Sequence, residues 1–384
     1  MPTNPGLRFH STVAAVVVSA IAFFLSPVIA AEANVPVLVP ITGFLSLEGT
    51  SQRNGAVLAL ENAPPGVGVV YDVADTSTAP EGAVNALERA VSGGGVTAVA
   101  ASMFGPQMLA MIPLADQYGV PLVTVSGTAK ITELGSPWVF RFFPGDVVAK
   151  VAHADYAVKK LGMAKPALIY QTTAYGQSGA KHIGDNLRRL GVEPVLEEGL
   201  DVKVKDMSPV LAKAKAAGAD GLLLHLHSGP TALLVRAAAA TDLGLPIVAG
   251  SAMHQPSTAA LLEPAELNGV CAESASSPVS GGGDAMAAWL DRYRAAYGTE
   301  PDAFALGQYD GTMMVLHAVA AGARSADDVR AYLSATTYDG LAMTYRSDGA
   351  GNMAHSAVIM CYDGSSRVPA IVARYDNVTG VLDD

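Results

Sequence analysis

Apolar residues follow two different spacings, and segments with one spacing alternate along the chain with segments that have the other. Short continuous apolar runs predict buried strands, whereas apolar residues three and four positions apart predict helices. In the segment 80–91, for example, Ala83, Leu87, Ala90 and Val91 share one helical face. The predicted strands are 35–40, 67–74, 96–101, 121–125, 166–171, a run around 195, 221–227 and 245–249. The predicted helices are 52–62, 80–91, 108–118, 148–161, 179–190, 210–217, 231–242, 284–297 and 309–321.

The order of these runs predicts an α/β fold with parallel sheets, because continuous apolar strands between helices are covered on both faces. The alternation restarts after the turn at 143–146, which divides the chain into two similar α/β lobes. Ligands of open parallel sheets bind outside the carboxyl ends of the strands. Two facing lobes therefore predict one cleft between them.

The N-terminal segment 1–31 is typical of an export signal. Arg8 supplies the positive charge, 13–25 is the apolar stretch, and small residues at 28–30 or 29–31 fit a cleavage site. The alternative is a retained membrane anchor, but the apolar stretch is shorter than the ~20 residues that a membrane helix needs. We therefore expect an exported protein with no retained membrane anchor.

Composition narrows the function classes. The chain has 384 residues, of which 50% are hydrophobic and 15% charged, with a formal net charge of −11. This length fits two domains. Lys and Arg form no cluster of the kind that tracks a phosphate backbone, so we expect no nucleic-acid partner.

The two cysteines, Cys271 and Cys361, both lie in apolar runs that predict strands. In an oxidising compartment they can form one disulfide, and two buried free thiols remain the alternative. The chain has no CxxC motif and no third ligand near them, which argues against a zinc site.

Motifs for catalysis are incomplete. The segment 176–179 lacks the first half of a nucleophile elbow, and neither a Walker loop nor a dinucleotide-binding GxGxxG follows a predicted strand. His225 and His227 share a strand face and could supply half of a metal site, but a third ligand is missing. We interpret them as cleft-lining side chains and expect neither enzymatic activity, nor a cofactor, nor a metal.

Two neighbouring loops suggest anion binding. The segments 102–106 and 126–128 each follow a predicted strand and precede a helix. Backbone N–H groups at such turns bind anions, and the hydroxyl of Thr128 adds a donor. The alternative is that both are tight turns with helix caps.

Taken in order, several short stretches resemble one family. From about 35 to 375 the chain is similar to type I periplasmic solute-binding proteins, especially the Leu/Ile/Val-binding and amide-binding group. The stretches that carry the resemblance are Pro-Ile-Thr-Gly at 40–43, Asn-Gly-Ala at 54–56, 115–121, 138–144, Ala-Tyr-Gly at 174–176 and Gln-Tyr-Asp at 308–310.

The resemblance implies two Rossmann-like lobes joined by three crossing segments, near Arg141, Glu273 and Met343. The lobes would close on a small solute and deliver it to an inner-membrane ABC permease, as a monomer. The implied boundaries are 32–142 plus 274–342 for lobe I and 143–273 plus 343–384 for lobe II.

The resemblance also implies a ligand site by position. Lobe I loops would hold a carboxylate, Tyr175 would close over the ligand from lobe II, and His227 would occupy an aromatic contact position. The implied carboxylate-binding residues are Phe104, Gly105, Gly127 and Thr128.

Two positions depart from the amino-acid binders of the family. Ala252 stands where an acidic residue pairs with the ligand ammonium, and Glu48 replaces an aromatic residue. A buried unpaired ammonium would cost several kcal/mol, out of the about 8 kcal/mol that a micromolar Kd supplies. Either Glu48, Asp310 or Glu273 pairs with the ammonium, or the ligand has none.

The expected ligands are therefore branched-chain or related amino acids, aromatic acids, or amides. The alternative function is a ligand-sensing module of the same fold that regulates a partner protein.

Overall fold

The apolar runs form strands and the amphipathic runs form helices in the computed structural model, which describes residues 1–3, 6, 31–241 and 243–378. The predicted export signal lies almost entirely outside the described residues. No described helix is both long enough and apolar enough to cross a membrane.

The strands are β1 (Ala31–Asn34), β2 (Val37–Val39), β3 (Val67–Val70), β4 (Val73–Asp75), β5 (Val99–Ala101), β6 (Leu122–Thr124), β7 (Val139–Arg141), β8 (Pro166–Gln171), β9 (Leu196–Leu200), β10 (Gly221–His225), β11 (Ile247–Ala249), β12 (Val270–Ser274), β13 (Tyr338–Asp339), β14 (Thr344–Tyr345), β15 (Ala357–Cys361) and β16 (Ala370–Tyr375).

The helices are α1 (Ser46–Glu61), α2 (Pro80–Ser92), α3 (Gly105–Tyr118), α4 (Lys130–Glu133), α5 (Asp146–Asp155, continued by a π-helical turn, Tyr156–Lys160), α6 (Ala174–Arg189), α7 (Ser208–Ala216), α8 (Ser228–Ala240), α9 (Pro256–Ala259), α10 (Asp284–Tyr297), α11 (Ala303–Ala320) and α12 (Ala326–Ala335).

Within the described residues the larger strands form two sheets. The first has the order β4-β2-β5-β6-β7 and is parallel throughout. The second has the order β16-β15-β12-β11-β10-β8-β9; it is parallel from β9 to β12, and β15 and β16 add antiparallel strands at one edge. Separate apolar clusters lie on the two faces of each sheet, which confirms the predicted burial of these strands.

Helix ends follow local chemistry. Gly119 ends α3 in the left-handed region at φ 64°, where glycine carries no steric penalty. The hydroxyl of Thr173 accepts the N–H of Gly176 at 3.2 Å, and the carboxylate of Asp302 accepts the N–H of Ala305 at 2.8 Å. These two side chains cap α6 and α11.

Helix α1 begins six residues before the predicted start at 52. A Cβ at Gly49 would lie 1.8 Å from the carbonyl oxygen of Pro40, and one at Gly55 would lie 2.0 Å from that of Ala305. The glycines that weaken the helical pattern are therefore the positions where α1 packs against β2 and α11. Close backbone packing outweighs their low helix propensity.

The run 67–74 is two strands rather than the single predicted strand. Its first part, β3, pairs with β1, and its second part, β4, pairs with β2 in the first sheet. A continuous apolar run does not reveal where the chain changes partner.

Within the described residues the chain passes between the sheets three times, first from β7 to α5 and then from β12 to α10. Tyr345 and Met353 are buried in the core of the first sheet, so the third passage lies between Ala354 and Ala357. The sequence placed this passage near Met343.

Cys271 and Cys361 face each other across the antiparallel pair β12 and β15, and their sulfurs are bonded. The sequence leaves open a disulfide or two buried free thiols, and the structure has the disulfide.

Candidate functional site

Loops at the carboxyl ends of both sheets line a small, partly open cavity with a free volume of about 20 Å³. The segments after β5 and β6 line it from the first sheet, and those after β8, β10 and β11 line it from the second. Its lining residues are Leu45, Glu48, Met103, Phe104, Gly127, Tyr175, His227, Ser251, Ala252 and Phe304. A largely apolar lining with a few polar groups is typical of small-molecule sites.

Most of the residues predicted for ligand contact come together here. Gly105 and Thr128 lie behind the lining and pack against each other, since a Cβ at Gly105 would come within 2.2 Å of Thr128 Oγ1. Asp310 is not brought to the cavity. The predicted residues that line it are Glu48, Phe104, Gly127, Tyr175, His227 and Ala252.

Asp310 holds a turn instead. Its carboxylate accepts the N–H groups of Leu341 and Ala342, both at 2.9 Å, and the hydroxyl of Tyr345 at 3.1 Å. Burial raises the pKa of Asp310 to about 6. With its oxygens used in this way, Asp310 cannot pair with an ammonium in the cavity.

Glu273 is also engaged elsewhere. It forms a buried ion pair with Lys150, and its other oxygen lies 2.9 Å from His153 Nδ1. Lys150 Nζ lies 3.6 Å from Asp146 Oδ1 as well. Of the three acidic residues considered for an ammonium, Glu48 is the one that lines the cavity.

The loop after β6 is held from behind by Arg141. Its buried guanidinium donates to the carbonyl oxygens of Ser126, Gly127 and Thr128 at 3.3, 3.2 and 2.8 Å. Because C=O and N–H point in opposite directions in a trans peptide unit, this turns the N–H groups of Gly127 and Thr128 away from the guanidinium. Burial lowers the pKa of Arg141 to about 10, so it stays charged at neutral pH.

Two hydroxyls in this loop have no hydrogen-bond partner among the described residues, Ser126 Oγ and Thr128 Oγ1, and both residues are buried. Buried polar atoms in folded proteins are normally paired, so an unpaired one calls for an explanation. The N-terminus of α3, a 14-residue helix, begins beside Thr128 at Gly105. The loop therefore presents donors and a positive helix end to the same region.

Glu48 contributes a carboxylate to the cavity from the first turn of α1. Its Oε1 accepts the N–H of Ser228 at 3.1 Å and the hydroxyl of Ser228 at 2.5 Å. Its Oε2 is buried and has no partner among the described residues. Burial raises the pKa of Glu48, and the hydrogen bonds from Ser228 oppose that rise.

The second sheet presents aromatic rings. Tyr175 packs on His225 and His227, with ring centroids 3.9 and 4.9 Å apart, and its hydroxyl lies 3.4 Å from Ser251 Oγ. Burial lowers the pKa of His227 to about 3, so the ring is neutral at pH 7. His227 also contacts Phe104 across the cavity, at 5.9 Å between centroids.

The histidines do not form a metal site in the described part of the chain, where no three metal-ligating side chains are grouped. His225 Nε2 lies 3.9 Å from Asp146 Oδ1, and both of its ring nitrogens lack a hydrogen bond in that part of the chain. Of the two histidines, His227 lines the cavity, and His225 packs against Tyr175.

Sequence reasoning missed four lining residues and the support that Arg141 gives to the loop. Met103 and Ser251 adjoin predicted residues, so a wider window around each loop would have included them. Phe304 follows the cap of α11, and its position depends on how that helix packs. The missed lining residues are Leu45, Met103, Ser251 and Phe304.

The carboxyl ends of two α/β sheets enclose the cavity. This arrangement is typical of two-sheet α/β binding proteins. Residues 32–366 match the family model described as periplasmic binding protein, and the chain belongs to this family. Its fold is that of the type I periplasmic binding proteins.

Relatives and solved structures agree with this assignment. An amino acid binding protein of Pseudomonas aeruginosa is 30% identical over 209 residues, which span 52% of this chain and 56% of the relative. Leu/Ile/Val-binding protein homolog 8 of Brucella abortus is 24% identical over 74% of this chain and 75% of its own length.

Among solved structures, the leucine-binding protein LivK of Thermotoga maritima gives a TM-score of 0.81 at 23% identity, covering 90% of this chain and 99% of that one. A solute-binding protein of Rhodopseudomonas palustris, in complex with 3,4-dihydroxybenzoic acid, gives a TM-score of 0.80 at 20% identity. The match covers 91% of this chain and 98% of that one. At these identities the similarity concerns the fold.

Proposed function

We propose that the protein captures a small carboxylate-bearing solute outside the cytoplasm and delivers it to an ABC permease of the inner membrane. The solute is a branched-chain or related amino acid, an aromatic acid or an amide. The observation that carries the proposal is the pair of buried hydroxyls Ser126 Oγ and Thr128 Oγ1, which have no partner among the described residues and flank Gly127, the residue of this loop that lines the cavity. A carboxylate bound there would satisfy them together with the amides of Gly127 and Thr128.

The names of the relatives support this range of solutes. The Pseudomonas relative is named for amino acid binding, and the Rhodopseudomonas protein was solved with an aromatic acid. Both kinds of solute carry a carboxylate.

Capture proceeds by closure of two lobes. The resemblance implies 32–142 plus 274–342 for one and 143–273 plus 343–384 for the other, and the core around Tyr345 and Met353 moves the last boundary to 354–357. Contacts that join the two sides support a closed state. Glu48 accepts from Ser228, and the N–H of Ala129 donates to Ser178 Oγ at 3.0 Å. A solute that contacts both sides favours this state by its differential affinity, and the permease recognises it.

The proposal includes export by the segment 1–31. A disulfide between Cys271 and Cys361 persists in an oxidising compartment, which supports a location outside the cytoplasm.

The test is binding to purified protein and to a Thr128→Ala variant. A panel of amino acids, aromatic acids and amides is screened by thermal shift, and hits are titrated by calorimetry. A bound solute raises the Tm according to its concentration relative to Kd. We expect Thr128→Ala to weaken binding of the best carboxylate about tenfold or more, since a hydrogen bond to a charged group contributes ~1.5–3 kcal/mol.

The matched control is Thr241→Ala at the exposed end of α8. We expect it to bind as the wild type does. Thr128 Oγ1 has no partner among the described residues, so the ligand-free Thr128→Ala variant loses only the packing of one buried methyl group, and we expect its Tm to fall by no more than about 5 °C. A wild-type protein that binds no carboxylate in the panel would contradict the proposed function.

A further inference from the structure

A row of four side chains joins the two sides of the cavity. The hydroxyl of Ser228 lies 2.5 Å from Glu48 Oε1 and 2.8 Å from Gln255 Oε1. Gln255 Nε2 in turn donates to Asp302 Oδ2 at 2.7 Å. Glu48 and Asp302 belong to the proposed lobe I, whereas Ser228 and Gln255 belong to lobe II. We call these four residues the cross-cleft chain, and all four are buried.

The hydrogens available to this chain can be counted, because each of its three contacts needs one. The hydroxyl of Ser228 supplies one hydrogen. The amide of Gln255 also supplies one, since its other end is an oxygen that only accepts. The count is the same for either orientation of the amide. If both carboxyl groups are ionised, one contact joins two oxygens with no hydrogen between them. Such a buried contact is costly, so one of the two carboxyl groups carries a proton.

Asp302 is the better place for a negative charge. Its Oδ1 accepts the hydroxyl of Ser51 and the N–H of Ala305, and hydrogen bonds to a carboxylate favour its ionised form. Glu48 accepts the N–H of Ser228 at 3.1 Å, and its Oε2 has no partner among the described residues. Burial raises the pKa of Glu48. The proton therefore belongs on Glu48, which then donates to the Ser228 hydroxyl and completes the chain.

The groups that face Glu48 from the cavity supply no positive charge. The described lining contains neither Lys nor Arg. Burial lowers the pKa of His227 to about 3 and raises that of Tyr175, so both are neutral at pH 7. An ionised Glu48 would therefore have no cation to pair with in the described lining.

The groups on the other sides of Glu48 do not supply a positive charge either. The carboxylate of Asp302 raises the pKa of Glu48 further. His254, beside Asp302, accepts a backbone N–H at 3.1 Å through Nε2, and burial lowers its pKa to about 4. On α1 itself, Arg53 is hydrogen-bonded to Asn54. The first turn of α1 favours an ionised group, but this effect is smaller than the cost of a missing hydrogen in a buried chain.

We propose that the lobes close with uptake of one proton by Glu48, so that the protein binds solute and proton together. The proposal rests on the proposed function, because opening the lobes would separate Glu48 from Ser228 and Asp302 from Gln255. An open, solvated Glu48 has an ordinary pKa of about 4.3 and is ionised at neutral pH. The proton comes from solvent on closure, and the affinity for the solute therefore rises as the pH falls.

The first experiment counts protons. The full mature protein and a Glu48→Gln variant are titrated with leucine and with 4-hydroxybenzoate by calorimetry near pH 7, in buffers that differ in ionisation enthalpy. Neither solute changes its charge at this pH. The introduced amide brings its own N–H donor to Ser228 and does not titrate. We expect the wild type to take up about one proton more per bound solute than the variant.

The pH dependence of the affinity gives the same number independently. From about pH 6 to pH 7 we expect the ratio of the wild-type Kd to the Glu48→Gln Kd to rise about tenfold, which corresponds to one proton. The histidines beside the cavity occur in both proteins, so their titration cancels in this ratio. Glu61→Gln, at the exposed other end of α1, is the control and should take up protons as the wild type does.

Two outcomes of the calorimetry would overturn the proposal. One is equal proton uptake in the wild type and in Glu48→Gln. The other is uptake that persists in Glu48→Gln and disappears in Asp302→Asn, which would place the proton at the opposite end of the chain. If Glu48→Gln does not fold, the wild type decides the question, because the absence of proton uptake with either solute contradicts the proposal.

Failure of both solutes to bind would count against the proposed function. Infrared spectra of the ligand-free protein near pH 7 then decide whether Glu48 holds a proton. We expect the carbonyl band of a buried protonated carboxyl group in the wild type and in Glu61→Gln, and a weaker band in Glu48→Gln. A band of the same strength in all three proteins would show that Glu48 is ionised.

Discussion

The two sides of the cavity differ in how completely their polar groups are satisfied. On the first-sheet side, Thr128 Oγ1 and Glu48 Oε2 are buried and unpaired in the described residues. On the second-sheet side, the hydroxyl of Tyr175 lies near Ser251, and His227 Nε2 lies 3.2 Å from Thr173 Oγ1. Behind Tyr175, both ring nitrogens of His225 are also unpaired within the described residues. The unpaired groups of the first-sheet side belong to the lining residue Glu48 and to the loop of Gly127, so we expect that side to recognise a solute and the second-sheet side to cover it.

The largest effect is expected at Arg141, which supports the recognising side. Arg141→Met would leave three loop carbonyl oxygens without their donor. We expect it to lower the free energy of unfolding by about 3 kcal/mol, since each buried group left unpaired costs ~1–3 kcal/mol. Solute binding should weaken as well. Urea unfolding and calorimetry measure the two effects.

Arg141→Lys separates charge from geometry, because an ammonium cannot reproduce the guanidinium fork. It should bind solute less tightly than the wild type. Arg89→Met, at an exposed position on α2, is the control and should change stability by less than about 0.5 kcal/mol. Unchanged stability and solute binding in Arg141→Met would show that Arg141 does not support the loop after β6.

A smaller effect is expected from the pH dependence of His227, on the covering side. Its pKa is about 3 in the folded protein and near 6.5 when unfolded, so the unfolded chain takes up the proton first as the pH falls. Stability is therefore constant above about pH 6.5 and falls below it. From pH 6.5 to pH 5 this ring should remove ~2 kcal/mol from the free energy of unfolding.

The measurement is urea unfolding at pH 7 and pH 5 for the wild type and His227→Gln. The variant should lose ~2 kcal/mol less over this interval. His254, with a pKa of about 4, also lowers the free energy of unfolding as the pH falls, whereas Asp310, with a pKa of about 6, raises it. These two contributions are the same in the wild type and the variant, so they cancel when the pH dependences are compared. An identical pH dependence in the two proteins would show that His227 does not titrate as its burial indicates.

The smallest effect is expected at Tyr175. Removing the ring in Tyr175→Ala uncovers one face of the cavity, and we expect about tenfold weaker solute binding from the lost apolar burial. Tyr175→Phe keeps the ring and removes a hydroxyl that lies 3.4 Å from Ser251 Oγ. We expect it to bind within about twofold of the wild type, because a hydrogen bond of that length is weak. A larger loss of solute affinity in Tyr175→Phe than in Thr128→Ala would mean that the second-sheet side, rather than the first, recognises the solute.

Much of the fold could be predicted from local pattern. Continuous apolar strands and amphipathic helices recur with turns between them, and each strand end leads to a loop on the same edge of a parallel sheet. The pattern points in this way to the segments after β5 and β6. The contacts from the other loops are implied by the resemblance to the solute-binding family, and together six of the predicted residues line one cavity.

The remaining features depend on packing that no local pattern records. Asp310 stands in a Gln-Tyr-Asp stretch that resembles a site motif, yet its side chain meets the turn at 341–342. Arg141 ends a strand, and its role comes from a loop 13 to 15 residues away in sequence. The partner of Glu48 is Ser228, 180 residues away. Contacts of this kind follow from tertiary structure.

The bond between Cys271 and Cys361 has a mechanical consequence. Cys271 lies in β12, which leads into the second passage between the sheets, and Cys361 lies in β15, which follows the third. The cross-link joins the two strands three ladder positions from Ser274 and Val358, the pair next to the passages. In the proposed closure we therefore expect β12 and β15 to move as one unit, with the bending in 275–283 and 354–357. The first passage begins after Arg141 and contains no cysteine.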